Sequence, residues 1–173
     1  MLQSASHIPD ARAAADEAAD RGISLAQQTH WGTLCETTDE ALDLVAEIDR
    51  PNFGITFEPA NLLACGGDHG PEAIARLAPC LSNFYFQNVR LDPAGTHCFK
   101  TRRRGDIQLE YLPLDDPAGM AAAPLIAALE QAGYGGWVTV HQPLRAGQSV
   151  DQAIAEAARL FRPLVRGGEG SSP

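Results

Sequence analysis

Apolar positions along the chain follow two alternating rhythms. Ala11 to Arg21 is dominated by strong helix formers, opened by Pro9-Asp10 and closed by Gly22, and Ile23 to Gln27 then reads as a strand. Thr37-Thr38-Asp39-Glu40 caps a helix whose Ala41, Leu42, Leu44, Val45 and Ile48 recur at helical spacing, and Pro51 ends it. Phe53 to Phe57 is β-rich and must stop at Glu58, because Pro59 cannot donate to a sheet ladder. After a loop from Gly66 to Pro71, Glu72 to Leu77 is a short helix and Leu81 to Val89 a third strand with Phe84, Tyr85 and Phe86 as its body. Leu91 to Pro117 is a long excursion containing the alternating run Ile107-Gln108-Leu109-Glu110-Tyr111. Met120 to Ala132 is a helix, Trp137 to Val140 a fourth strand, and Ser149 caps a last helix from Val150 to Leu160. Such alternation implies an α/β fold with parallel strands joined by right-handed crossovers.

Each predicted strand ends on polar residues. The tips are Gln28 with His30, Glu58 with Asn61, Gln87 with Asn88, and His141 with Gln142. In a parallel sheet all four tips face one side, which is where ligands bind in this architecture. Residues distant in sequence are therefore expected to converge on one mouth. Two features carry two readings each. His30-Trp31 is either core packing beneath the mouth or a platform for stacking a ligand ring, and Arg102-Arg103-Arg104 is either a solvated loop or a phosphate clamp.

Composition narrows the partners. The chain has 173 residues, 45% of them hydrophobic, enough to bury one sizeable core. A formal net charge of -9 argues against nucleic acid and gives no attraction to anionic membranes, leaving a small molecule. No apolar run is long enough for a membrane span, and Met-Leu-Gln-Ser-Ala-Ser-His lacks signal-peptide features, so a cytoplasmic location is expected. Cys35, Cys65, Cys80 and Cys98 show no Cys-x-x-Cys pair and read as reduced thiols, with a zinc site of Cys65, His69, His97 and Cys98 as the lesser alternative.

Taken together, Leu25 to Leu34, Phe53-Gly54-Ile55-Thr56-Phe57-Glu58-Pro59-Ala60-Asn61, the strand ending in Gln87, Gly105-Asp106 and Gly133-Tyr134-Gly135-Gly136-Trp137 resemble the second half of the xylose-isomerase-like TIM barrels. That superfamily includes sugar isomerases and epimerases, 3-dehydroshikimate dehydratases and endonuclease IV. The resemblance runs from the first helix to about Val165 and implies half of a (β/α) barrel, four core parallel strands with helices outside, over residues 1–166, with 167–173 a disordered tail. It also implies a sugar or polyol substrate and one divalent metal, Mn²⁺, Zn²⁺ or Mg²⁺, held by four strand tips. The family's Glu, Asp, His and Glu positions fall here on Gln28, Glu58, Gln87 and His141.

None of the four is the family's usual residue. One carboxylate in place of three weakens a hard-cation site, and glutamine cannot act as a base. Catalysis, if retained, is expected from Glu58 and His141, with His30, Trp31, Asn61 and Asn88 binding substrate. A weak-metal isomerase or epimerase is the leading expectation, with a non-catalytic carbohydrate-binding subunit as the alternative. Four strands also leave two open edges, so the chain is expected either to be part of a longer barrel or to close one as a homodimer or with a second half-barrel chain.

Overall fold

The computed structural model describes residues 1–165; the expected tail at 167–173 lies outside them. Strand and helix alternate as the pattern requires: α1 (Ile8–Ala19), β1 (Leu25–Gln28), α2 (Thr38–Ile48), β2 (Phe53–Phe57), α3 (Pro59–Cys65), α4 (Pro71–Leu77) and β3 (Leu81–Phe86). Then come β4 (Val89–Leu91), β5 (His97–Thr101), β6 (Gly105–Tyr111), α5 (Ala122–Gln131), β7 (Val138–Val140) and α6 (Val150–Phe161). The strands β1, β2, β3 and β7 pair in that order, all parallel, as the partial TIM-barrel sheet expected.

The caps act where the sequence put them. Thr37 accepts a hydrogen bond from the Glu40 amide, and Ser149 with Gln152 forms a reciprocal capping box on α6. All five residues of β2 are buried, as a central parallel strand covered on both faces should be. Phe57, Phe84 and Phe86 are among the largest fully buried side chains of the core. Gly54 is required by close approach: a Cβ there would stand 2.1 Å from the Ser82 hydroxyl and 2.6 Å from the Cys80 carbonyl.

Two expectations are corrected, and a segment to which the pattern assigned no element is a helix. Residues 59–65 form α3: Pro59 occupies the first helical turn, where its missing N–H costs nothing, and Gly66 ends the helix in the left-handed conformation. The third strand ends at Phe86 rather than Val89, because Val89 turns away to pair with Tyr111 in a second sheet. The long excursion is itself structured, an antiparallel sheet in the order β4-β6-β5. Its alternation places His97, Phe99 and Thr101 of β5, and Ile107, Leu109 and Tyr111 of β6, at the more buried positions.

The turn joining β5 to β6 is latched to the loop after β1. Glu36, fully buried, accepts from the backbone N–H groups of Gly32 at 2.7 Å, Arg102 at 2.6 Å and Arg103 at 3.0 Å. The Arg102 and Arg103 guanidinium groups lie 3.6 and 3.8 Å from Glu40. The arginine run is an exposed turn whose side chains stay solvated while its backbone amides are held by Glu36. It ties the second sheet over the strand tips.

Among the described residues no helix is long and apolar enough to cross a membrane. β1 and β7 are the outer strands of the parallel sheet, and Trp137, Leu144, Val150 and Ile154 are exposed beside β7.

Glu36→Ala leaves three amide donors without their acceptor, which should cost about 2–4 kcal/mol of unfolding free energy. Loss of the latch is local first, so tryptic cleavage at Arg102 to Arg104 should accelerate before global unfolding in urea is reached. Cleavage and stability matching the parent chain would refute the latch.

Candidate functional site

Glu58 occupies the tip of the central strand and the position before α3, with a relative exposure of 1%. A carboxylate that deep must be satisfied by donors. Asn61 Nδ2 donates to Oε2 at 2.9 Å, one helical turn away, and Gln28 Nε2 from the neighbouring strand donates to the same oxygen. Oε1 faces His141 Nδ1 at 3.0 Å. The Glu58 amide donates to Thr29 Oγ1 at 2.9 Å, and Asn61 Nδ2 also donates to the Thr29 carbonyl at 2.8 Å. The loop after β1 and the start of α3 are thus stitched around one carboxylate.

Burial raises the pKa of Glu58 above the ordinary carboxylate range, with the His141 and Gln28 contacts opposing the shift. A carboxylate only accepts, so the proton between the ionised Glu58 and His141 lies on Nδ1, leaving Nε2 as the free basic nitrogen. His141 follows β7, and its amide donates to the Phe86 carbonyl at 2.9 Å, extending the ladder to the tip. Its side chain is half-exposed while Glu58 is enclosed. Gln87 Nε2 donates to the His141 carbonyl and fixes that tip.

A cavity of about 500 Å³ opens above this pair. The residues expected to converge, His30, Trp31, Glu58, Asn61, Gln87 and His141, all line it. Gln28 reaches the site through Glu58. Trp31 packs between His30 and Phe99 at ring-centroid distances of 4.1 and 4.2 Å, so it is both wall and packing surface. The Oδ1 of Asn61 is buried with no hydrogen-bond partner.

Asn88 is corrected. Its Nδ2 donates to the Pro113 and Asp116 carbonyls at 2.6 and 3.0 Å, and its Oδ1 accepts from the Met120 amide at 2.6 Å. Fully buried and spent on backbone, it holds the chain leaving the second sheet and has no group left for substrate. Gln142 works beside it, accepting from the Asn88 amide at 2.8 Å and donating to the Leu112 carbonyl at 3.0 Å. The reading from strand tips alone missed His97 and Tyr111, which the second sheet brings to the cavity. The alternation at 107–111 was the available signal, but nothing local says which way the hairpin folds.

Among the described residues no three His, Cys, Asp or Glu side chains gather to hold a metal. The alternative zinc set is not assembled among the described residues, since Cys65 is buried and Cys98 exposed, and burial pushes the Cys65 thiol up to about 12. At the strand tips the donor chemistry fits a divalent ion poorly: one carboxylate supplies the only formal negative charge, and two amide N–H groups already occupy one of its oxygens.

Residues 8–164 match the family model described as xylose isomerase-like TIM barrel. The chain is 27% identical over 133 residues to the rhizopine catabolism protein MocC of Rhizobium meliloti, covering 73% of this chain and 38% of that protein. It is 24% identical over 128 residues to the inosose dehydratase of Geobacillus thermodenitrificans, covering 72% and 42% respectively. The fold is similar to the crystal structure of a xylose isomerase-like TIM barrel protein from Mycobacterium smegmatis in complex with magnesium, with a TM-score of 0.65, 20% identity, and coverage of 95% of this chain and 54% of that one. The chain spans about two fifths of the length of the two curated relatives.

Because its pKa is raised in the folded state, Glu58 contributes stability below the unfolded carboxylate pKa, and that contribution is lost as pH rises through the folded pKa. Glu58→Gln cannot ionise and can keep the same partners. It should melt about 2–4 °C above the parent at pH 7, with the gap closing toward pH 4, as followed by calorimetric scanning. A constant gap across that range would contradict the assignment.

Proposed function

The chain belongs to the xylose isomerase-like TIM barrel family, and on that premise we propose that it acts on a sugar or polyol as an isomerase or epimerase, through proton transfer at carbon. The observation that carries this reading is the contact of His141 Nδ1 with Glu58 Oε1 at 3.0 Å on the floor of the cavity. Glu58 holds the imidazole in one tautomer and stabilises the imidazolium once formed, while Nε2 takes the proton. Isomerisation, epimerisation and dehydration of hydroxy ketones can all begin by removing a proton beside the carbonyl, so the reading accommodates the inosose dehydratase relative as well. Asn61 Oδ1 offers an acceptor for a substrate hydroxyl. Trp31 offers an apolar face to the C–H side of a ring.

Two amides and a histidine at three of the family's four ligand positions support a second reading, a carbohydrate-binding subunit without turnover. The two readings differ in whether an inosose or a ketohexose exchanges its α-hydrogen with D₂O, followed by NMR. Exchange is expected, and His141→Gln should slow it by about 10²–10⁴-fold. Binding without exchange would leave the non-catalytic reading.

No step here is routed through a metal. Glu58 and His141, completed by Gln28, Gln87 and water, are the groups that a divalent ion would use, and the single carboxylate makes that site weak. Calorimetric titration with Mn²⁺ should give a Kd no tighter than about 10⁻⁴ M. Micromolar binding abolished by Glu58→Ala would overturn this. The exposed β7 edge with Trp137, Leu144, Val150 and Ile154 supports association with a further half barrel, either a second copy of this chain or another polypeptide. Four unpaired cysteines support a reducing, cytoplasmic setting.

A further inference from the structure

Removing a proton beside a carbonyl places negative charge on the carbonyl oxygen, and something must receive it. The strand tips supply a base but little to meet that oxygen: Glu58 is anionic when ionised, and the amide groups of Gln28 and Asn61 are spent on it. The opposite wall of the cavity is different. It carries His30, Trp31, His97 and Tyr111, joined behind the surface through Phe99 into one run of rings with successive centroid distances of 4.1, 4.2, 6.4 and 4.7 Å. Tyr111, at the end of this run, meets His97 edge to face at an interplanar angle of 85° and lines the cavity with Glu58 and His141.

We propose that the Tyr111 hydroxyl is the hydrogen-bond donor to the substrate's carbonyl oxygen, supplying from the second sheet the polarisation that the four strand tips cannot. The inference rests on the proton-transfer reading above. In the step, the α C–H bond breaks and its proton passes to His141 Nε2. The electron pair forms the C=C bond, the C=O π pair moves to oxygen, and the resulting enolate oxygen is held by the Tyr111 O–H; return of a proton from His141 reverses the step.

Two observations support the assignment besides position. The Tyr111 hydroxyl has no hydrogen-bond partner among the described residues, unlike the Tyr134 hydroxyl, which donates to the Trp137 carbonyl at 2.9 Å. Burial, and then the charge of Glu58, push the phenol above its ordinary range and keep it protonated as a donor. The Glu36 latch holds the hairpin turn and so restrains the wall that presents it.

Tyr111→Phe keeps the ring and its packing and removes only the hydroxyl. With an inosose as the probe, exchange in D₂O and calorimetric binding are measured on the parent chain, Tyr111→Phe and Glu58→Gln, after equal melting temperatures have been checked for the parent and Tyr111→Phe. Tyr111→Phe is expected to lower kcat for exchange by about 10²-fold with KM changed less than about threefold, since the bond strengthens only as charge develops. Exchange at the parental rate in Tyr111→Phe, with Glu58→Gln slowed, would overturn the role of Tyr111 and leave the proton-transfer reading standing. If the parent binds without exchange, a tenfold weaker Kd in Tyr111→Phe supports the contact while the catalytic reading fails, and an unchanged Kd overturns both. No binding by the parent likewise overturns both for this substrate class.

Discussion

Burying one carboxylate at the tip of the central strand is the constraint on which the rest of the site depends. An ionised group at 1% exposure cannot rely on water, so neighbouring elements must present donors to it. β1 contributes Gln28, α3 contributes Asn61, and the residue after β7 contributes His141. These partners come from the two outer strands and from the helix that starts at the carboxylate itself. Satisfying Glu58 therefore fixes the relative height of three strand tips, and the same contacts leave Nε2 as the one free ring nitrogen of His141.

A second buried carboxylate, Glu36, is satisfied differently, and the contrast explains their roles. Its partners are backbone amides of Gly32, Arg102 and Arg103, which lie in connecting segments and bring no titratable hydrogen to the pair. It can hold two segments together and do little else. Glu58 has a half-exposed imidazole as one partner, so its charge reaches the cavity through a group that can move a proton. Partner type, rather than residue type, separates a latch from a carboxylate coupled to a titratable group.

The second sheet turns an open strand-tip surface into a cavity. Without it, His30, Trp31 and the Glu58–His141 pair would face solvent, and charge developing on a substrate would be screened. With it, aromatic rings and a phenol form an opposing wall, in a cavity of about 500 Å³. The family's fold is thus combined with a site whose polar groups are mostly neutral. A site of that composition favours hydrogen-bonded chemistry over coordination of a hard cation.

Much of this was legible from the residues. Periodicity and caps located the four parallel strands and the helices between them, and the stop imposed by Pro59 placed Glu58 at a tip, because these are short-range consequences of backbone geometry. Parallel alternation was also enough to bring His30, Glu58, Gln87 and His141 to one mouth. What lay beyond sequence was which way side chains and segments turn after the strands end. Asn88 sits at a tip like the others, yet its amide is consumed by the Pro113, Asp116 and Met120 backbone groups, an outcome set by the return path of the chain. Helix α3 was hidden because Pro59 signals both the end of a strand and the start of a helix. His97 and Tyr111 lie in an excursion whose alternation announces a hairpin, but the face it presents, and what that face covers, is decided by a contact between Glu36 and two amides more than sixty residues away in sequence. Local pattern fixes elements and their polarity; only long-range satisfaction of buried polar groups decides which of them meet.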